Sequence, residues 1–413
     1  MSQRLEGFNL SELPKTFQDA VIVTRELGVQ YLWIDSLCII QYGDNGEDWR
    51  SESCRMETVF SHAYCTIAAT AAVDSNAGFL QRDVKFDHVY VQNASGKQFY
   101  ISADIDDFDN NVDKALLNTR AWVMQEGVLA RRTIHFSANQ TYWECGKGVH
   151  CENLTILKRY ELCNNFVGTL LTRRSAISSY KDKYFTLDPN FPSRVLRSGK
   201  RRTINCISFL FQEFSKRNLT FPTDRCVAIS GLEACIAGAL EGHSSRYGVF
   251  EQYLHRNLLW LALNDNSEEI VYDHHVPSWS WMAYSGGILF LDIPIGEVDW
   301  FNHLRFDEDC ECDHALIANL WTFQNCTIER YPPRYKVLDS DRAEKGWIHY
   351  DSIGKDSCKE QCIVVGRQSN RGFDEYYVLV VRLTSVEGEY RRIGIGLIQS
   401  DFVVGQTINV RVV

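Results

Sequence analysis

The chain has 413 residues and a formal net charge of −10, with 45% apolar and 23% charged residues. That length and balance fit a globular protein with a large core, and the acidic excess argues against the basic face that a nucleic-acid partner requires. No apolar run approaches the roughly 20 residues that span a bilayer, and the N-terminal stretch MSQRLEGFNLSELPK has no apolar signal region, so a cytoplasmic location is expected. There the 14 scattered cysteines stay as thiols.

The elements follow in chain order. Leu13-Pro14 opens a helix through Phe17, Ala20, Val23 and Leu27, with Ser11 as the expected cap and Gly28 as the stop. The apolar run Tyr31 to Asp35 reads as a short buried strand. A helix is predicted over Asp48 to His62, then a strand within Tyr64 to Ala71. Phe86 to Ile105 alternates in short pieces, as antiparallel strands do. Arg120 to Leu129 reads as helix, and Arg132 to Cys145 holds two strands. Asn153 to Phe214, Asp224 to Leu240 and Tyr247 to Leu263 read mainly as helix. The basic stretch Arg194 to Arg202 reads as a solvated loop. Beyond Pro277 the alternation in Tyr376 to Leu383, Arg392 to Ile398 and Thr407 to Val412 predicts a β-rich end. The expected fold class is α+β: an α/β layer over 1–150, a helical region over 151–275 and a β-rich region over 276–413.

Four groups of strings carry a family resemblance. They are Leu13 to Ala20; Tyr31 to Gln41; Asp48-Trp49 with Glu52, Met56 and Ala63 to Ala69; and Arg120-Ala121-Trp122, Gln125-Glu126 and Tyr142-Trp143-Glu144-Cys145. Their order and spacing resemble the fungal heterokaryon-incompatibility (HET) family. Asp224 to Leu232 and Pro277 to Trp281 are similar to segments that follow the HET domain in many fungal proteins. The resemblance implies a TIR-like α/β layer, with Glu52 at the position of the glutamate that meets NAD in TIR-type sites. The family's opening strand is expected to be missing, since twelve residues precede Leu13. In a doubly wound sheet that strand is central and its following turn faces the ligand. Ala121 and Gly127 also stand where the family usually has Gly and Arg.

No phosphate loop, nucleophile elbow or metalloprotease motif is present, and neither a cofactor nor a metal is expected. Cys310-Glu311-Cys312-Asp313-His314 with Cys358 and Cys362 lacks zinc-knuckle spacing. Cys38 is expected to be an inert thiol in apolar surroundings. The chain also resembles the HET-like members of fungal natural-product clusters, and that resemblance implies a cofactor-free pericyclase of terpenoid biosynthesis on a scaffold without its nucleotide strand. It would hold a hydrophobic polyene for an intramolecular, norbornene-forming Diels–Alder reaction by proximity. Trp33, Trp122, Trp143, Trp279 and Trp281 are the expected pocket, with Arg120 or Tyr142 donating to the substrate carbonyl. Pro277 to Trp281 reads as extended, with both indoles on one face. The alternative function is incompatibility and cell-death signalling, with or without residual NAD binding. An eroded protein or a mispredicted gene start is a third expectation. The oligomeric state is not legible.

Overall fold

The structure is a computed structural model that describes residues 7–82, 88–102, 107–146, 148–152, 156, 192, 196–197, 199–240, 244–264, 267–308, 314–332, 334–352, 360–370 and 372–413. Cys310 to Asp313, Cys358, Arg194 and most of 153–198 lie outside the described residues. The chain forms two compact units: residues 1–194 with Ser230–Leu232, and residues 195–229 with 233–413. Both helices and strands are present and the C-terminal part is β-rich, so the class is α+β.

In the first unit, α1 (Lys15–Glu26) starts behind Pro14, whose φ of −53° suits a helix entry. It stops at Gly28, which has a φ of +67°. Ser11 lies in a 3-10 turn and does not cap it. The helix buries Ala20 and Val23 against Phe79, with Leu32, Ile67 and Phe136 packed alongside. Its buried Asp19 accepts the backbone N–H groups of Phe79 at 2.8 Å and Leu80 at 3.1 Å, and pairs with Lys15. This ties the loop around Gly78 to the helix.

Tyr31 to Ile34 is not a strand. It has no ladder partner among the described residues, and Tyr31 is 83% exposed. A short apolar run has strand character only when a neighbour pairs with it, and local periodicity does not show that neighbour. Asp35 opens the helical turn Asp35–Cys38, and its carboxylate accepts the neighbouring Ser36 N–H at 2.6 Å. The helix expected over Asp48 to His62 is two, α2 (Glu47–Ser53) and α3 (Met56–His62), because the chain turns at Cys54-Arg55, where the Arg55 N–H bonds the Glu52 carbonyl. Asp44 starts α2 by accepting the N–H of Asp48 at 2.8 Å.

Strand β1 (Thr66–Ala68) precedes a hairpin of β2 (His88–Gln92) and β3 (Gln98–Ser102). Helix α4 (Ala121–Leu129) leads into β4 (Arg132–Phe136), β5 (Thr141–Cys145) and β6 (Gly148–Cys151). The sheet order is β1-β4-β5-β6, with β1 parallel to β4 and the other pairs antiparallel.

The second unit opens with α5 (Lys200–Ser215) and α6 (Val227–Ala239). The helix expected over Tyr247 to Leu263 is instead a tight hairpin of β7 (Ser245–Arg246) and β8 (Val249–Phe250), a short helical stretch, and β9 (Trp260–Ala262). Tyr247 and Gly248 take φ of +48° and +76°, which a helix forbids. Strand β9 pairs with β10 (Ile288–Phe290), a partner too distant in sequence for local periodicity to reveal.

The large sheet contains β11 (Asp299–Trp300), β12 (Arg305–Phe306), β13 (Leu316–Phe323), β14 (Thr327–Tyr331), β15 (Arg334–Leu338) and β16 (Glu344–Tyr350). It continues with β17 (Gln361–Asn370), β18 (Phe373–Leu383), β19 (Glu389–Gln399) and β20 (Val403–Val412). Strands β13, β17, β18, β19 and β20 pair in a closed ring, and β16, β15 and β14 extend it from β19. Alternate residues of β17 and β18 fall into two apolar clusters, one with Ile363 and Leu379 and one with Val364 and Val380. Arg392 on β19 is fully buried, bonds both carboxylate oxygens of Asp351 at 2.9 and 3.0 Å, and donates to the carbonyls of Leu258 and Trp260. No helix among the described residues is long and apolar enough to cross a membrane.

Candidate functional site

The sheet β4-β5-β6 of the first unit carries polar groups on both faces. Successive strand residues point to opposite sides, so Thr133, His135, Tyr142 and Glu144 share one face. All four are buried. Phe108 closes that face, its ring 5.7 Å from His135 and 5.0 Å from Tyr142, both edge-on. Val112, Val149 and Cys151 complete the cluster.

His135 Nε2 lies 2.7 Å from Glu144 Oε2, with the two residues 7% and 3% exposed. This hydrogen bond orients the imidazole and leaves Nδ1 as its second ring nitrogen. Nδ1 has no hydrogen-bond partner among the described residues, and neither does Thr133 Oγ1 or Thr66 Oγ1. Thr66 faces Thr133 across the β1–β4 ladder. Each buried polar atom left unsatisfied costs about 1–3 kcal/mol. Three of them share a face with the His–Glu pair, which makes His135 a candidate base.

The opposite face holds Arg132, Trp143, Cys145 and His150 around a hollow of about 750 Å³. Trp143 stands directly opposite Ile134 on one side and His150 on the other. Glu152 borders the hollow, and Arg82 clasps it through two hydrogen bonds of 2.8 and 3.0 Å. Those bonds and the Thr141 N–H hold its carboxyl below the usual glutamate range, against the opposing pull of burial.

The structure separates the residues picked from the sequence. Tyr142 and Trp143 are neighbours on opposite faces of β5, so one ligand cannot touch both side chains. Tyr142 is fully buried, and its hydroxyl accepts from Gln140 Nε2 at 3.1 Å. Arg120 is exposed at the N-terminus of α4. Trp33 packs edge-on to Phe60 at 5.7 Å, and Trp122 packs edge-on to Trp49 at 6.3 Å. Of the five tryptophans, Trp143 alone lines the hollow.

Trp279 and Trp281 belong to the second unit and are wholly buried. The first donates its indole N–H to the His314 carbonyl at 3.1 Å, and the second is boxed by Phe211, Phe214 and the Arg225 guanidinium. Pro277 to Trp281 is a turn rather than an extended segment, closed by the Ser280 N–H on the Pro277 carbonyl. Both indoles are core. Beside them, Glu233 on α6 accepts the Gly248 N–H at 2.9 Å. Its burial lifts the carboxyl to about 7, opposed by the Gly248 and Ser245 hydrogen bonds.

Glu52 forms an ion pair with Arg55 at 2.6 Å on the rim of α2. Cys38 is exposed, not enclosed in apolar surroundings as expected from its neighbours in sequence, because the unpaired segment before it stays at the surface. His314 packs its ring 5.1 Å from Tyr247, and Cys362 is buried with its thiol pushed up by desolvation. No group of three or more potential ligands stands ready for a metal among the described residues.

Sequence reasoning passed over His135 and Arg132 and read Glu144 only as part of a motif. One signal was available. Thr133, His135 and Glu144 are polar residues in the buried phase of alternating strands, where burial without a partner is costly.

Residues 2–126 match the model of the family described as heterokaryon incompatibility protein (HET). The match covers the first three groups of family strings and Arg120 to Glu126, and it ends before β5. No curated protein matches the chain, and no solved structure matches it.

Proposed function

We infer that the segment 2–126 is a heterokaryon-incompatibility module and that the protein acts in the incompatibility response, in which a HET-type protein triggers cell death once non-self is sensed. The family match carries this reading. The sheet following the matched segment adds a candidate output group, since His135 and Glu144 supply a buried imidazole with an orienting carboxylate. Glu52 is the residue that the family resemblance offers for NAD, and its carboxylate is held by Arg55. The test is inducible expression of the full chain in a filamentous fungus, following viability and cellular NAD. Wild type is expected to stop growth, and His135→Ala is expected to restore it at equal protein level. Glu52→Gln separates the two forms of the reading: it blocks killing only if NAD turnover is the output. Normal growth on wild-type expression removes the signalling reading.

The hollow beside Trp143 favours a second reading, the cofactor-free terpenoid cyclase. Its volume of about 750 Å³ suits a folded polyene, since ligand pockets span roughly 300–1,000 Å³. Holding diene and dienophile together supplies the rate enhancement without acid, base or metal. Purified protein without cofactor is then expected to convert a polyene aldehyde or acid to a bridged product. A rate and stereochemical outcome equal to buffer alone sinks this reading.

A further inference from the structure

We propose that the hollow on the outer face of β4-β5-β6 is a binding site for a planar aromatic ligand that carries an anionic group, with the ring on Trp143 and the anion at Arg132. This goes beyond both functional readings and stands on the geometry of the hollow alone.

Trp143 supplies the ring platform. It is half-buried, sits mid-strand on β5, and is fixed on both sides by its cross-strand neighbours Ile134 and His150. Gly148, opposite Cys145 in the ladder, adds no side chain to the strand beside Trp143. A flat ring laid on an indole gains dispersion and quadrupole attraction that an aliphatic chain gains less of.

Arg132 supplies the charge. Its guanidinium is anchored by the Tyr64 carbonyl at 3.1 Å and lies 5.5 Å from the centre of the Tyr64 ring. No carboxylate lies within ion-pair distance of it among the described residues, in a chain of net charge −10. The carboxylate at the rim, Glu152, is neutralised by Arg82 and does not compete for Arg132. A guanidinium held in place beside an aromatic platform, with donors left over, recognises a carboxylate or sulfonate with two parallel hydrogen bonds. His150, paired with Trp143 in the β5–β6 ladder, also lines the hollow.

The experiment titrates the full-length protein with 2-naphthoate and with its neutral counterpart 2-naphthalenemethanol, read by calorimetry. 2-Naphthoate is expected to bind at least tenfold tighter than the alcohol, and to weaken as salt is raised. Arg132→Gln is expected to bring 2-naphthoate down to the affinity of the alcohol and leave the alcohol unchanged. Trp143→Leu is expected to weaken both at least tenfold. Unchanged far-UV circular dichroism and melting temperature certify each variant. Where Arg132→Gln fails to fold, Arg132→Lys replaces it and is expected to lose part of the naphthoate preference. Equal binding of the two probes, no binding of either, or a naphthoate affinity untouched by the Arg132 variant overturns the proposal.

Discussion

Asp19 shows how one buried carboxylate holds a loop. Burial alone would raise its pKa, but the Lys15 side chain and the amides of Phe79 and Leu80 outweigh that and leave it lowered. A lowered acid contributes stability that is present above its unfolded pKa and lost as pH falls through the folded value. Asp19→Ala strands two amides in the core and is expected to cost about 2–4 kcal/mol, read as a fall in the urea midpoint at neutral pH. Gly78 belongs to the same contact: a Cβ there would meet Asp19 Oδ2 and Lys15 Cγ at 2.8 Å, at a φ of +71°. Glu233 runs the other way. Its carboxyl titrates near 7, above the usual 4.5, so the folded state holds a proton that the unfolded chain has released. Stability contributed by that proton is present at low pH and is lost as pH rises toward and through 7. Glu233→Gln keeps the acceptor for Gly248 and removes the charge. It is expected to flatten thermal stability between pH 5 and 8 and to gain on the order of 3 kcal/mol at the alkaline end.

At the scale of elements, the parts that local pattern reveals are those whose partners lie nearby. Helix α1, helix α4, the β2–β3 hairpin and the β4–β5 pair all satisfy their backbones within a few residues or along one ladder. Tyr31 to Ile34 and Tyr247 to Leu263 misled for one reason, since their apolar residues fit several local conformations and distant neighbours decide among them. The candidate site was half legible. Trp143 reads as a binding aromatic from the sequence, while its separation from Tyr142 follows only once β5 is known to be a strand. The His135–Glu144 pair needs the β4–β5 register, in which these two stand two residue pairs apart on one face. Close strand packing makes another prediction. A Cβ on Gly394 of β19 would lie 2.4 Å from the His349 carbonyl oxygen, and one on Gly396 would lie 2.7 Å from that of Trp347. Gly394→Val is expected to break the β16–β19 pairing and give insoluble protein, checked by comparing soluble yield with that of Gly238→Ala on α6, where a Cβ meets nothing within 4 Å.

At the scale of the whole molecule, apolar clusters lie within each unit. Among the described residues, small clusters gather around Phe79 and Phe108 in the first, and two large ones share β17 and β18 in the second. Local stability follows buried apolar contact and ladder length. Amide hydrogen exchange is therefore expected to leave Ile363 to Val365 and Val378 to Val381 protected longest, and the β1–β4 ladder to exchange earlier. Earlier exchange in β17 and β18 than in β1 counts against this ranking.

The ring of β13, β17, β18, β19 and β20 has a consequence for synthesis. A ribosome delivers these strands in order, and β20 comes last although it belongs between β13 and β19. Until it emerges, a nascent chain holds two apolar strands with open edges facing a gap, a species prone to pair with its neighbours on a polysome. A stop codon before Val403 therefore removes the strand that closes the ring, and a chain truncated there belongs to the chaperones rather than to the soluble pool.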